Sequence, residues 1–297
     1  MTDYIFWITL GLLSALISIG VPLVQENRRG HPLAVSIWNK IGVVVFMTPV
    51  VFWMGGLPDD PQFYIFVAIS AIVWSISDVI YFRTIMDTGA GVVSRLLPSA
   101  VILSFVGWFF LDPSLFIKYM QHPLQGFVLF TIVVAATLFA MNLKSCPISW
   151  KGIKLIWFVI LAAAFMPLLE KIIMGQGSQG GISKIPFAFI FVQALMMIGI
   201  WAIFAVVKKP ISRQVFFTET SWKTGLLISV FSTLALCARF TALQYVEHPA
   251  FLSVLLFTDA FWILLYHRIT GRKDHSNIWA GMGIVVCAAA LVLVKSF

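Results

Sequence analysis

The chain has 297 residues, of which 60% are hydrophobic and only 11% charged, and it carries a formal net charge of +8. A soluble protein of this length needs a polar shell that such a composition does not supply, so a soluble globular fold is excluded. The basic excess does not imply nucleic acid, because most Lys and Arg lie in short segments beside apolar stretches, where they set membrane topology.

A spanning helix needs about 20 mostly apolar residues. Ten stretches qualify: Tyr4–Val24, Leu33–Trp53, Phe63–Ile85, Val92–Leu111, Leu124–Leu143, Ile153–Met174, Pro186–Val207, Thr224–Tyr245, Phe251–His267 and Ile278–Val294. The first lacks a basic leader and a small-residue cleavage site, so it reads as a span rather than a signal peptide. The connections are short, and Gly55-Gly56-Leu57-Pro58, Asp87-Thr88-Gly89 and Glu247-His248-Pro249 stop helices. The expected fold class is therefore an all-α polytopic membrane protein of ten transmembrane helices, with the lipid bilayer as its surroundings. Cys146, Cys237 and Cys287 are too few and too scattered for a disulfide or metal framework. No metal or other cofactor is expected.

The two halves echo each other. Val21-Pro22-Leu23-Val24-Gln25-Glu26 closes the first span, and Met166-Pro167-Leu168-Leu169-Glu170-Lys171 closes the sixth, 145 residues later. In the following spans Pro32 and Asn39 match Pro186 and Gln193, each amide seven residues after its proline. The nine additional residues of the second half fit the glycine-rich segment Gly175–Gly181. This echo divides the chain into five-helix repeats at 1–146 and 147–297. An odd number of spans inverts the second repeat about an axis in the membrane plane, with the substrate site at the repeat interface. Repeat-related prolines Pro22 and Pro167 are expected to end or kink their spans.

Loop charge sets the orientation. Segments on the side of the termini hold four Lys, whereas those on the opposite side hold twelve Lys and Arg, including Arg28, Arg29, Lys208, Lys209 and Arg272. The positive-inside rule then puts both termini on the non-cytoplasmic side.

Four ionisable residues fall well inside spans: Asp78, Arg95, Arg239 and Asp259. Each costs at least about 2.5–3.5 kcal/mol at mid-bilayer if left facing lipid, so each is expected to face protein or water. Asp78 and Arg95 flank one hairpin at similar depth, and Arg239 and Asp259 flank another. Two readings stand: internal ion pairs, or a cavity that binds a polar substrate and moves protons on Asp259 or Asp78. Ser70, Trp74, Ser77, Asp78 and Tyr81 recur at helical spacing and form one polar-aromatic face. Trp74 and Trp262 read equally as cavity aromatics or interfacial anchors. Asn39 and Gln193 read as helix ties or as substrate contacts. Lys40, Arg83, Glu170 and Lys171, nearer span ends, are expected to snorkel or pair in loops.

With ten spans, a five-plus-five inverted repeat and about 300 residues, the chain resembles the drug/metabolite transporter superfamily, in particular its ten-span EamA-like members. Val92-Val93-Ser94-Arg95-Leu96-Leu97-Pro98 is similar to the fourth-span stretch of that family, and Phe240–Tyr245 followed by Pro249-Ala250 to its counterpart before the ninth. Gly126 and Gly281 match the family's glycines early in spans five and ten. The Trp-Gly pair of the family's first span is absent, and the charge count places the termini opposite to the family's habit. The resemblance implies alternating access, a small-molecule substrate and a bacterial inner membrane location, with the protein a monomer or homodimer.

The resulting expectation is a non-enzymatic secondary transporter of a small zwitterionic or anionic metabolite, coupled to protons or to exchange. Its substrate contacts are expected at Asn39, Trp74, Asp78, Arg95, Gln193, Arg239, Asp259 and Trp262. An intramembrane enzyme on a lipid head group, and a non-transporting subunit or scramblase, are the alternatives. No nucleotide-binding loop is present, so ATP is not the expected driver.

Overall fold

A computed structural model describes residues 2–88, 97–143, 150–175, 183–208, 212–271 and 277–296. Among them are fourteen helices and no strand. In chain order they are α1 (Thr2–Ser18), α2 (Gly20–Arg28), α3 (Pro32–Trp53), α4 (Pro61–Thr88), α5 (Ser99–Leu111), α6 (Pro113–Gln121), α7 (Pro123–Met141), α8 (Trp150–Gly175), α9 (Ile185–Lys208), α10 (Arg213–Phe216), α11 (Glu219–Tyr245), α12 (Pro249–Leu256), α13 (Thr258–Ile269) and α14 (Ile278–Ser296). Eight spans among these residues are long and apolar enough to cross a membrane, or nine if α5 and α6 are taken as one bent span. The chain is a multi-pass α-helical membrane protein. Ile278–Val294 is a shorter apolar helix, and the start of the expected fourth span, 92–96, lies outside the described residues.

Local chemistry sets the helix ends. Proline opens α3, α6, α7 and α12, where its missing N–H costs nothing. Asp112 caps α6 by accepting from the Leu115 N–H at 3.2 Å, and α6 turns 100° away from α5. This helix falls in the expected connection between the fourth and fifth spans, where Asp112 followed by Pro113 is a helix-start signal.

Neither repeat-related proline ends its span: Tyr4–Arg28 runs past Pro22 and Ile156–Gly175 past Pro167. The first span is interrupted for one residue at Ile19, between α1 and α2 and three residues before Pro22, but the backbone there stays helical (φ −58°, ψ −27°) and Tyr4–Arg28 remains one span. Proline cannot donate back along the helix, and its ring crowds the preceding turn. Pro167, by contrast, lies inside the continuous helix α8. A second one-residue interruption falls at Phe257, between α12 and α13, with φ −61° and ψ −16° and no proline involved, and Pro249–Ile269 likewise remains one span.

The core is built from helices of both halves. α11 packs along α3 and α1, α9 along α3 and α4, and α8 along α4 and α5. α12 packs on α5 and α1, and α14 on α7 and α13. Small residues allow a close approach between α3 and α11. A Cβ on Gly225 would lie 2.4 Å from the Cβ of Trp38 and 3.0 Å from the Val35 carbonyl oxygen, and one on Gly42 would lie 2.6 Å from the Cβ of Ser229. Membrane helices commonly pack on such small residues, because apolar contact alone gains little against lipid.

Candidate functional site

The one-residue interruptions at Ile19 and Phe257 and the polar faces of α3, α4, α8, α9 and α11 lie around one cavity of about 340 Å³. That volume lies within the range of small-molecule sites, roughly 300–1,000 Å³. Of the eight residues expected to bind substrate, six line it: Asn39, Trp74, Asp78, Gln193, Arg239 and Asp259. Trp262 is not among its lining residues and packs edge-on against Phe261, with ring centroids 5.5 Å apart. Arg95 lies outside the described residues.

Arg239 is not paired with Asp259, its hairpin neighbour at similar depth, and the Asp78–Arg95 pairing falls on a residue outside the described ones. Arg239 Nη2 meets Glu170 Oε2 at 3.0 Å, and Trp74 Nε1 donates to the other oxygen, Oε1, at 3.1 Å. Lys40 Nζ meets Asp78 Oδ2 at 3.2 Å. Their place near span ends predicts snorkelling or loop pairing for both Lys40 and Glu170. Both instead line the cavity, and the Glu170 side chain is only 1% exposed. One sequence signal could have found Glu170: it stands three residues after Pro167, as Gln25 stands three after Pro22, and Gln25 is equally buried.

The two matched amides tie the halves together in the same way. Asn39 Oδ1, on α3, accepts from Ser232 Oγ on α11 at 2.7 Å. Gln193 Nε2, on α9, donates to Ser70 Oγ on α4 at 2.7 Å. Each amide also faces the cavity.

Asp259 sits in the first turn of α13, directly after the interruption at Phe257, and Tyr81 and Ser18 line the same space. Among the described residues no Lys, Arg or His lies within ion-pair distance of it. The described lining therefore holds three carboxylates, Asp78, Glu170 and Asp259, against two basic groups, Lys40 and Arg239. Asp259 is half-buried at the cavity wall, and a partly desolvated carboxylate without a cation favours taking up a proton or a cationic ligand.

Toward the end of the bundle that carries both termini, polar bonds close the packing beyond the Arg239–Glu170 pair. Lys171 Nζ donates to the carbonyl oxygens of Leu243 and Gln244 at 2.9 and 3.1 Å. Gln244 Nε2 donates to Ser183 Oγ at 2.7 Å. His248 is fully buried and stacks on Phe105 with centroids 4.6 Å apart. Its Nδ1 accepts from the Ala250 N–H, which leaves Nε2 to donate to the Phe105 carbonyl oxygen at 3.2 Å. These roles define a neutral imidazole.

No family model and no curated protein matches the chain. Solved structures do match. One, described as "Crystal structure of protein", superposes with a TM-score of 0.66 at 12% identity, covering 96% of each chain. At that identity the likeness concerns the fold alone.

Proposed function

We propose that the protein is a secondary active transporter that moves a small zwitterionic metabolite across the membrane by alternating access. The observation that carries this reading is a membrane-embedded cavity between the two halves, lined by three carboxylates and two basic groups, in which Asp259 has no cationic partner among the described residues. Charges inside a membrane are costly and are retained for substrate and proton pathways. Arg239 or Lys40 supplies the contact for an anionic group, and Asp259 takes either the cargo's ammonium or a proton. The acid excess favours a zwitterion over the purely anionic cargo that the sequence left open.

The reading takes the ten spans as two inverted repeats, 1–146 and 147–297, as in the drug/metabolite transporter superfamily. Packing supports this. α3 lies against α11 as α9 lies against α4, α1 against α11 as α8 against α4, and α5 against α8 as α12 against α1. The Asn39–Ser232 and Gln193–Ser70 bonds are related by the same exchange of halves.

The test is ligand-induced thermal stabilisation of purified protein against amino acids, phosphorylated sugars, amines and nucleotides. A ligand at about 100 times its dissociation constant adds roughly 2.7 kcal/mol. A zwitterion that stabilises the wild type but not folded Asp259→Asn or Arg239→Gln supports the reading. Stabilisation that is unaffected by either substitution refutes the assigned site.

A further inference from the structure

A second cleft lies away from the central cavity, at the end of the bundle that carries the termini. Its volume is about 880 Å³. It is walled by the start of α1, the α6–α7 turn, the α11–α12 link and the end of α14. The floor is apolar, with Trp7, Val128 and Phe251, and the rim is polar, with Lys118, His122, Gln125 and Glu247. Lys118 Nζ and Glu247 Oε1 meet across it at 2.7 Å, and the Lys118 side chain is 56% exposed.

Beside this cleft runs α6, turned 100° from α5. Its Leu115 and Tyr119 are buried against the protein, while Phe116, Ile117 and Met120 are exposed. A short helix lying across the end of a span, with an apolar edge uncovered, belongs in the plane of the head-group boundary. Leu124 and Phe127, at the start of α7, continue that exposed apolar surface toward the bilayer.

We infer that this cleft binds a bilayer phospholipid whose head group carries a primary ammonium. The lipid phosphate replaces Glu247 as the partner of Lys118, and His122 and Gln125, which line the same cleft, are the further donors it offers. The ammonium replaces Lys118 as the partner of Glu247. One exposed ion pair is thereby exchanged for two charge-assisted pairs, and the acyl chains run over Leu124 and Val128. A choline head group has no N–H to donate to Glu247, and a glycerol head group has no cation. The inference requires only that the chain spans a membrane, and it is independent of transport.

The experiment measures phospholipid binding to purified full-length protein by native mass spectrometry, using phosphatidylethanolamine, phosphatidylcholine and phosphatidylglycerol with the same chains, and soluble phosphoethanolamine. The wild type is expected to prefer the ethanolamine lipid by roughly tenfold. Glu247→Gln is expected to abolish that preference, and Lys118→Gln to weaken all three lipids. An exposed ion pair contributes at most about 1 kcal/mol, so both variants are expected to fold. Val128→Phe, which fills the floor without touching either charge, is expected to weaken the ethanolamine lipid at least as much. Equal binding of the three lipids overturns the inference, as does a preference that survives Glu247→Gln or binding unchanged by Val128→Phe. Phosphoethanolamine binding as tightly as the lipid overturns the bilayer source.

Discussion

Arg239 and Glu170 meet at 3.0 Å inside the membrane-embedded cavity, and Trp74 holds the second carboxylate oxygen. The carboxylate is thus fixed by three helices, α8, α11 and α4. A charged group held in this way cannot lose its partner without leaving an uncompensated charge. Removing one member of a buried pair costs about 3–5 kcal/mol, whereas replacing both by neutral groups is often close to neutral. Glu170→Gln and Arg239→Gln are each expected to lower the melting temperature in detergent by more than the double variant does. A double-mutant cycle on thermal unfolding checks this, and additive losses would show that the two side chains do not act as a pair.

The α3–α11 contact makes a second prediction. Gly225 leaves no room for a methyl group, since its nearest neighbours include the Val35 carbonyl oxygen and the Asn39 backbone nitrogen. Backbone cannot yield as a flexible side chain can. Gly225→Ala is expected to force α3 and α11 apart, at a cost of about 1–3 kcal/mol. It is also expected to weaken the Asn39–Ser232 bond. Asn39→Ala is then expected to cost less in the Gly225→Ala background than in the wild type, measured again by thermal unfolding. Equal costs in the two backgrounds would separate the glycine from the amide.

His248 joins the halves at the end that carries the termini, by stacking on Phe105 and donating to its carbonyl oxygen. His248→Phe keeps an aromatic ring but leaves both the Ala250 N–H and the Phe105 carbonyl without this partner. The expected loss is about 1–3 kcal/mol for a buried group left unsatisfied. His248→Asn retains a capping oxygen for the Ala250 N–H and forgoes the stacking. If the ring alone matters, His248→Phe will melt at the wild-type temperature and His248→Asn far below it, contrary to this account.

Much of the architecture could be read from residue type and spacing, because the physics there is local. Apolar runs of membrane-spanning length mark the helices, and the period of Ser70, Trp74, Asp78 and Tyr81 marks the face of α4, of which the last three line the cavity. The echo of Pro32 and Asn39 in Pro186 and Gln193 singled out two amides that each bond a serine on a helix of the other half of the chain. The charge partners were not legible. Lys40 and Glu170 stand near the ends of their apolar runs, and hydropathy along one helix does not reveal which neighbours turn a terminal charge inward. The interruption at Phe257 was equally silent, since neither Gly nor Pro marks it. The capping signal Asp112-Pro113 for α6 was present in the sequence, but it lay in a segment read as a connection.

Asp259 carries the central claim, because it is the cavity carboxylate that has no cationic partner among the described residues. The most direct measurement reconstitutes the protein in liposomes with the zwitterion that stabilises it, and compares wild type with Asp259→Asn. Asparagine mimics the protonated acid and cannot release a proton. Wild type is expected to accumulate the cargo under an imposed pH gradient and to catalyse exchange of labelled for unlabelled cargo. Asp259→Asn is expected to lose gradient-driven accumulation. Gradient-driven accumulation by Asp259→Asn at the wild-type level, or no exchange by the wild type, would contradict the account.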